Sequence, residues 1–135
     1  MQLRYVDDMM TTEYQPGACN IGPEEIRTRW VAGVAGFTAA ALLAAVLIAV
    51  DAPTTVRWLV ALPMIGGFVG ILQAQLRFCA NYGLRGMRNF GPLGRAESIV
   101  ESEARVADRR KALLIIGAST ALGILATIPV VLLPF

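Results

Sequence analysis

Long apolar runs separated by polar segments set the pattern of this chain. Apolar residues dominate about 30–50, 56–78 and 112–133, and the only charges between Trp30 and Gln73 are Asp51 and Arg57. Nothing after Lys111 is charged. Each run matches the roughly 20 residues a helix needs to cross a bilayer core of about 30 Å. The pattern therefore predicts an all-α integral membrane protein with three transmembrane helices.

The segment Asp51-Ala52-Pro53-Thr54-Thr55 reads as a tight turn, its proline ending one helix and helping to start the next. Spans one and two are thus predicted to form an antiparallel hairpin. From Arg95 to Lys111 there is no proline or glycine, and Glu101 and Arg105 stand four apart as a helical ion pair would. One continuous helix is predicted from about Arg95 through the third span, roughly 50 Å long at about 1.5 Å per residue. Its first half is a cytoplasmic extension. The expected organisation is a cytoplasmic tail over 1–29, the hairpin over 30–78, a basic cytoplasmic loop and helix over 79–111, and the third span with a short external C-terminus over 112–135.

Composition agrees: 56% of residues are hydrophobic and 16% charged, a balance foreign to soluble domains of this size. The polar 29 residues before the first run argue against a cleavable signal peptide. Basic residues decide the orientation. Arg4, Arg27 and Arg29 precede the first span, Arg57 alone lies at the 51–57 turn, and the other eight lie between Arg77 and Lys111. The N-terminus and the long loop are therefore expected in the cytoplasm of a bacterial-type inner membrane, with the C-terminus outside.

The span interiors carry no ionisable group, which disfavours pumps, ion-coupled transporters and channels. Histidine is absent throughout, removing the commonest metal and haem ligand and the commonest general base. No catalytic residue, metal or cofactor is expected. Small residues take the place of charges: Gly33, Gly36, Gly66, Gly67, Gly70, Gly117 and Gly123 are candidates for close helix packing. They suit contacts among the three helices or a docking face for another transmembrane subunit.

Two cysteines, Cys19 and Cys79, flank the hairpin on its cytoplasmic side. A reducing cytosol disfavours a disulfide there, and two cysteines fall short of a four-ligand zinc site. Cys79 is the candidate redox thiol, with Arg77 and Arg85 as cations that favour its thiolate and Cys19 as a resolving partner. Inert burial and palmitoylation are the competing readings. Arg77, Arg85, Arg88, Arg109, Arg110 and Lys111 are candidate contacts for lipid head groups or partner subunits. Nucleic acid is not expected, since topology accounts for the basic residues and no binding module is present. An echo joins the polar segments: Asn20-Ile21-Gly22-Pro23 and Asn89-Phe90-Gly91-Pro92 each suit a turn leading into a helix.

Asn20-Ile21-Gly22 with Glu25, Arg29 and Gly33, followed by Cys79-Ala80-Asn81-Tyr82-Gly83-Leu84-Arg85-Gly86, resembles the opening and closing patterns of the YgaP-like transmembrane domain family. The resemblance covers about residues 20–90. Ile26 stands where that family usually has arginine, its second cysteine after the Cys-x-x-Tyr motif is missing, and Cys19 and the third span are additional. It implies a dimerising helical hairpin and, through the rhodanese domain that sometimes accompanies the family, sulfur chemistry. The sequence as a whole predicts a non-catalytic accessory subunit of a larger membrane complex, respiratory or photosynthetic, or a homo-oligomer among membrane lipids. The alternative is a membrane thiol protein acting through Cys79.

Overall fold

A computed structural model describes residues 14–133. The chain is mostly helical, and three of its helices are long and apolar enough to cross a membrane: Pro23–Ala49, Thr54–Leu76 and Ser102–Leu132. In chain order the elements are α1 (Pro23–Ala49), α2 (Thr54–Arg57), a 3-10 turn (Trp58–Val60), α3 (Ala61–Leu76), α4 (Ala80–Arg85), strands β1 (Met87–Arg88) and β2 (Glu97–Ser98), and α5 (Ser102–Leu132).

Helix α1 starts earlier than its apolar run. Pro23 fits the first helical position, and Glu24 and Glu25 complement the positive helix N-terminus. Just past the Val50 cap of α1, Asp51 has φ 54° and lies in the left-handed region, while the Ala52 N–H donates to the Leu47 carbonyl at 2.9 Å. The same device ends α3: Arg77 has φ 54°, and the Phe78 N–H donates to the Gln73 carbonyl at 3.0 Å. In both, the next residue is apolar and buried, as this type of cap favours. The 3-10 turn before α3 has a local cause. Pro63 has no N–H for the Leu59 carbonyl and its ring crowds that carbonyl, so the backbone tightens there.

Glycine lets the helices touch backbone to backbone. A methyl group on Gly36 would lie 2.6 Å from the Gly67 nitrogen, and one on Gly70 would lie 2.5 Å from the Gly33 nitrogen. Gly123 of α5 is pressed in the same way onto Ile65 of α3. Helix α5 buries one narrow stripe, from Ala104 through Ile115, Ser119 and Gly123 to Val131. Its other faces, like those of α1, are exposed and apolar; Val31, Leu42, Leu113 and Leu125 are examples. Such surfaces suit lipid.

The polar end departs from the sequence expectation in three ways. First, α5 begins at Ser102, not near Arg95. Residues 97–98 instead pair antiparallel with 87–88, with Met87 opposite Ser98 and Arg88 opposite Glu97. The Ile99 N–H then donates to the Gly86 carbonyl at 2.8 Å, and Ile99 is buried. Burial and cross-chain hydrogen bonds outweigh the helical charge spacing, so this small sheet stands beside an otherwise α-helical fold. Second, Glu101 is the residue before the helix, and the Arg105 guanidinium lies over Gly86. Among the described residues no Glu101–Arg105 ion pair forms. Third, the Asn89 echo does not lead into a helix. It lies beside its counterpart in a parallel bridge: the Asn89 N–H donates to the Asn20 carbonyl at 2.9 Å, and the Gly22 N–H to the Asn89 carbonyl at 2.8 Å.

The segment before α1 is fastened to α5. The Tyr14 hydroxyl donates to Asp108 Oδ2 and the Gly17 N–H to Asp108 Oδ1, both at 2.7 Å. Residues 1–13 of the expected cytoplasmic tail lie outside the described residues.

Backbone atoms cannot yield to a new methyl group as a flexible side chain can. Gly36→Ala and Gly70→Ala should therefore each destabilise the protein by about 1–3 kcal/mol. Gly66→Ala should not, because nothing lies within 4 Å of where its methyl group would sit. Thermal melts in detergent, followed by circular dichroism, compare the three.

Candidate functional site: a buried polar cluster beside Cys79

Where α1 begins and α3 ends, seven polar side chains meet. Cys79 is the N-cap residue of α4, and its backbone is gripped by one amide side chain. The Cys79 N–H donates to Asn20 Oδ1 at 2.7 Å, and Asn20 Nδ2 donates to the Cys79 carbonyl at 3.1 Å. Gln73, buried at the end of α3, accepts the Ala80 N–H at 2.8 Å. One of the amides that every helix N-terminus leaves open is satisfied in this way.

Glu25, only 3% exposed, binds three partners. Its Oε1 accepts from the Tyr82 hydroxyl and from Asn89 Nδ2, each at 3.1 Å, and its Oε2 pairs with Arg29 Nη1 at 2.8 Å. Arg29 lies one helical turn beyond Glu25 and uses its other end on sulfur: Nη2 donates to Cys79 Sγ at 3.0 Å. Its guanidinium also stands 6.0 Å from the Tyr82 ring centre. A carboxylate thus holds an arginine against a thiol. Burial, and then the Glu25 charge, push the Tyr82 phenol up, so Tyr82 remains a neutral donor. Asn89 completes the cluster by accepting the Gly91 N–H at 3.0 Å.

Several candidate residues stand elsewhere than expected. The cation on Cys79 is Arg29, not Arg77 or Arg85. The left-handed turn at Arg77 leaves that residue exposed just before the chain buries Phe78 and Cys79. Arg77 instead shares a shallow cleft of about 160 Å³ with Cys19. The Cys19 thiol donates to the Ile21 carbonyl at 3.6 Å, and burial pushes it up, so it is protonated at neutral pH. Neither cysteine is in a disulfide, and both are buried. Arg88 stands 5.3 Å over the Tyr14 ring and 3.8 Å from Glu97, at a cleft of about 510 Å³ shared with Phe90 and Arg95. Arg85 and Arg109 border a different cleft of about 270 Å³. Arg110 is exposed and Lys111 half-buried. Gly33, Gly36, Gly67, Gly70 and Gly123 lie in the helix contacts, whereas Gly66 and Gly117 open onto unoccupied space. Among the described residues, no three His, Cys, Asp or Glu side chains converge on a possible metal position.

Sequence reasoning gave no site role to Asn20, Glu25, Arg29, Asn89 or Asp108. The echo was the available signal, because its two asparagines are the residues that pair. No protein family, curated protein or solved structure matches the chain.

Removing one partner of a buried ion pair strands the other. Glu25→Ala should therefore destabilise the protein by about 3–5 kcal/mol, while Glu24→Ala, at an exposed neighbouring position, should change little. Urea denaturation in mild detergent reads both. A pH dependence also follows. Burial and Asp108 push the Tyr14 phenol up, so folding favours the protonated form. That contribution is intact below the ordinary tyrosine value of about 10 and declines as pH rises above it. The denaturation midpoint should fall above about pH 10, less steeply in Tyr14→Phe; an identical fall in both proteins refutes the assignment.

Proposed function

We propose that this chain is a non-catalytic accessory subunit of a larger membrane complex of respiratory or photosynthetic type. One observation carries the reading: the inner helix contacts are closed, while Gly66 and Gly117 remain open on the outside. The inner glycines bring the three helices together with no gap for a small substrate beside Gly36, Gly70 or Gly123. Small residues on an outer helix face allow a partner helix the same close approach. The polar cluster beside Cys79 is saturated by internal partners and so acts as a rigid cap.

In this reading, spans one and two form an antiparallel hairpin. Gly33 lies against Gly70 and Gly36 against Gly67, the reversed order that a hairpin requires. The basic segments place the N-terminus and the 78–111 region on the cytoplasmic side of a bacterial-type inner membrane, with the C-terminus outside.

A second reading rests on the 3.0 Å contact between Arg29 and Cys79 Sγ. A guanidinium fixed on sulfur by a directed hydrogen bond suits a thiol that carries or senses sulfane sulfur. The resemblance of residues 20–90 to the YgaP-like hairpin points the same way. Near-complete burial of Cys79 argues against it, since an oxidant or sulfur donor must reach the atom.

Gentle detergent extraction followed by native electrophoresis and mass spectrometry separates the readings. The subunit reading expects stoichiometric co-migration with a large complex, lost in Gly66→Leu or Gly117→Leu while the chain remains folded. Migration as a free dimer overturns it. Persulfide or sulfenate labelling that disappears in Cys79→Ser would favour the thiol reading instead.

A further inference from the structure

We propose that Arg85, Arg105 and Arg109 form a binding site for the phosphate group of an anionic membrane phospholipid. The three guanidinium-bearing side chains border one cleft of about 270 Å³, together with Leu84, Val106 and the backbone at Gly83 and Gly86. They come from two elements. Arg85 closes α4, and Arg105 and Arg109 stand one turn apart on α5.

Charge is the first argument. No carboxylate lines this cleft, and among the described residues none pairs with any of the three arginines. The nearest candidates are otherwise engaged or placed. Asp108 accepts from Tyr14 and Gly17 on both of its oxygens, and Glu101 forms no ion pair with Arg105. The larger cleft at Arg88 and Arg95 differs in this respect, because Glu97 lies in its wall. Three like charges brought together without a counterion are unfavourable alone, and a phosphate relieves them through charge-assisted hydrogen bonds that suit the guanidinium fork.

Shape is the second. The Arg105 guanidinium packs directly over the Gly86 backbone, in the space that a side chain there would occupy. Gly86 also has φ +66°, which favours glycine. The turn thus both permits and shapes the approach of Arg105 to Arg85. Depth is the third. Arg109 lies three residues before Ala112, or about 4.5 Å along a helix, and Ala112 opens the uncharged part of α5. The cleft is therefore at head-group level, with half-exposed Leu84 and Val106 beside it and lipid-facing Leu113 below. A phosphate with an attached acylglycerol matches this sequence of polar and apolar contacts. Free phosphate shares the polar chemistry but uses none of the apolar wall.

The test is native mass spectrometry of the full chain in a neutral detergent, titrated separately with phosphatidylglycerol, phosphatidylcholine and inorganic phosphate. Phosphatidylglycerol should bind at least about tenfold tighter than phosphatidylcholine. The double variant Arg105→Gln/Arg109→Gln should lose about that factor, whereas Arg95→Gln and Arg110→Gln should not. Arg85→Lys retains the charge but not the fork, so an intermediate loss is expected even if the double variant folds poorly. Equal binding of the two lipids, or an equal loss in the Arg95 and Arg110 variants, overturns the site. Inorganic phosphate that binds as tightly as the lipid overturns the membrane source.

Discussion

The polar end of this protein depends on Asn20. All four of its hydrogen-bonding groups are engaged: its N–H donates to the Arg77 carbonyl, its carbonyl accepts from Asn89, and its amide side chain exchanges two bonds with the Cys79 backbone. It is fully buried. One residue thereby fastens the start of α1 to the end of α3 and to the loop before α5. The need for it is physical. Helices in lipid satisfy their own backbone, but where they begin and end, their open amides and carbonyls require partners. Asn20 and Gln73 supply such partners from within the chain. The left-handed Arg77, an uncommon conformation for a non-glycine residue, is held in place from one side by Asn20 and from the other by buried Phe78.

The Glu25–Arg29 pair is set on this frame. A buried ion pair is a weak source of stability, because desolvation offsets much of the attraction. Its use here is geometric. Glu25 collects Tyr82 from α4, Asn89 from the loop and Arg29 from its own helix, so that the Arg29 guanidinium reaches Cys79 with its orientation fixed. Of the three partners, Arg29 is the one that donates to the Cys79 sulfur. The same rigidity suits a cap that presents a constant surface to a neighbouring subunit.

How much of this is legible in the sequence depends on the range of the interaction. The spans are legible because hydropathy is summed locally, and the glycine contacts are partly so, because spacing puts Gly33 and Gly36 on one face. Which glycines turn inward is not, since Gly66 and Gly67 are neighbours in sequence with opposite surroundings. Residues 95–101 look helical by charge spacing, yet 97–98 pair with 87–88 and Ile99 is buried, contacts that no local window contains. The echo of Asn20 in Asn89 is visible, but its meaning as a side-by-side pair appears only when the two segments meet. Sequence distance hides Arg29 as the partner of Cys79, since 50 residues separate them, whereas Arg77 and Arg85 lie close in sequence and make no contact with its sulfur among the hydrogen bonds of the described residues.

The opposite end shows how a buried charge is accommodated without such a cluster. Arg57, buried at the 51–57 turn, donates to the Ala52 carbonyl at 3.0 Å and to the Leu133 carbonyl at 2.8 Å. A cation there complements the negative end of α5 and satisfies carbonyls that the helix leaves open. Asp51 lies 3.8 Å away and is mostly exposed, so it adds little. Among the described residues, Arg57 is the one basic residue at that end of the three helices, and it is committed to closing α5 against the turn. Basic side chains orient a membrane protein through the charge they present at the interface. A buried guanidinium engaged by carbonyls presents little of that charge, so Arg57 adds little to the interface at the 51–57 turn.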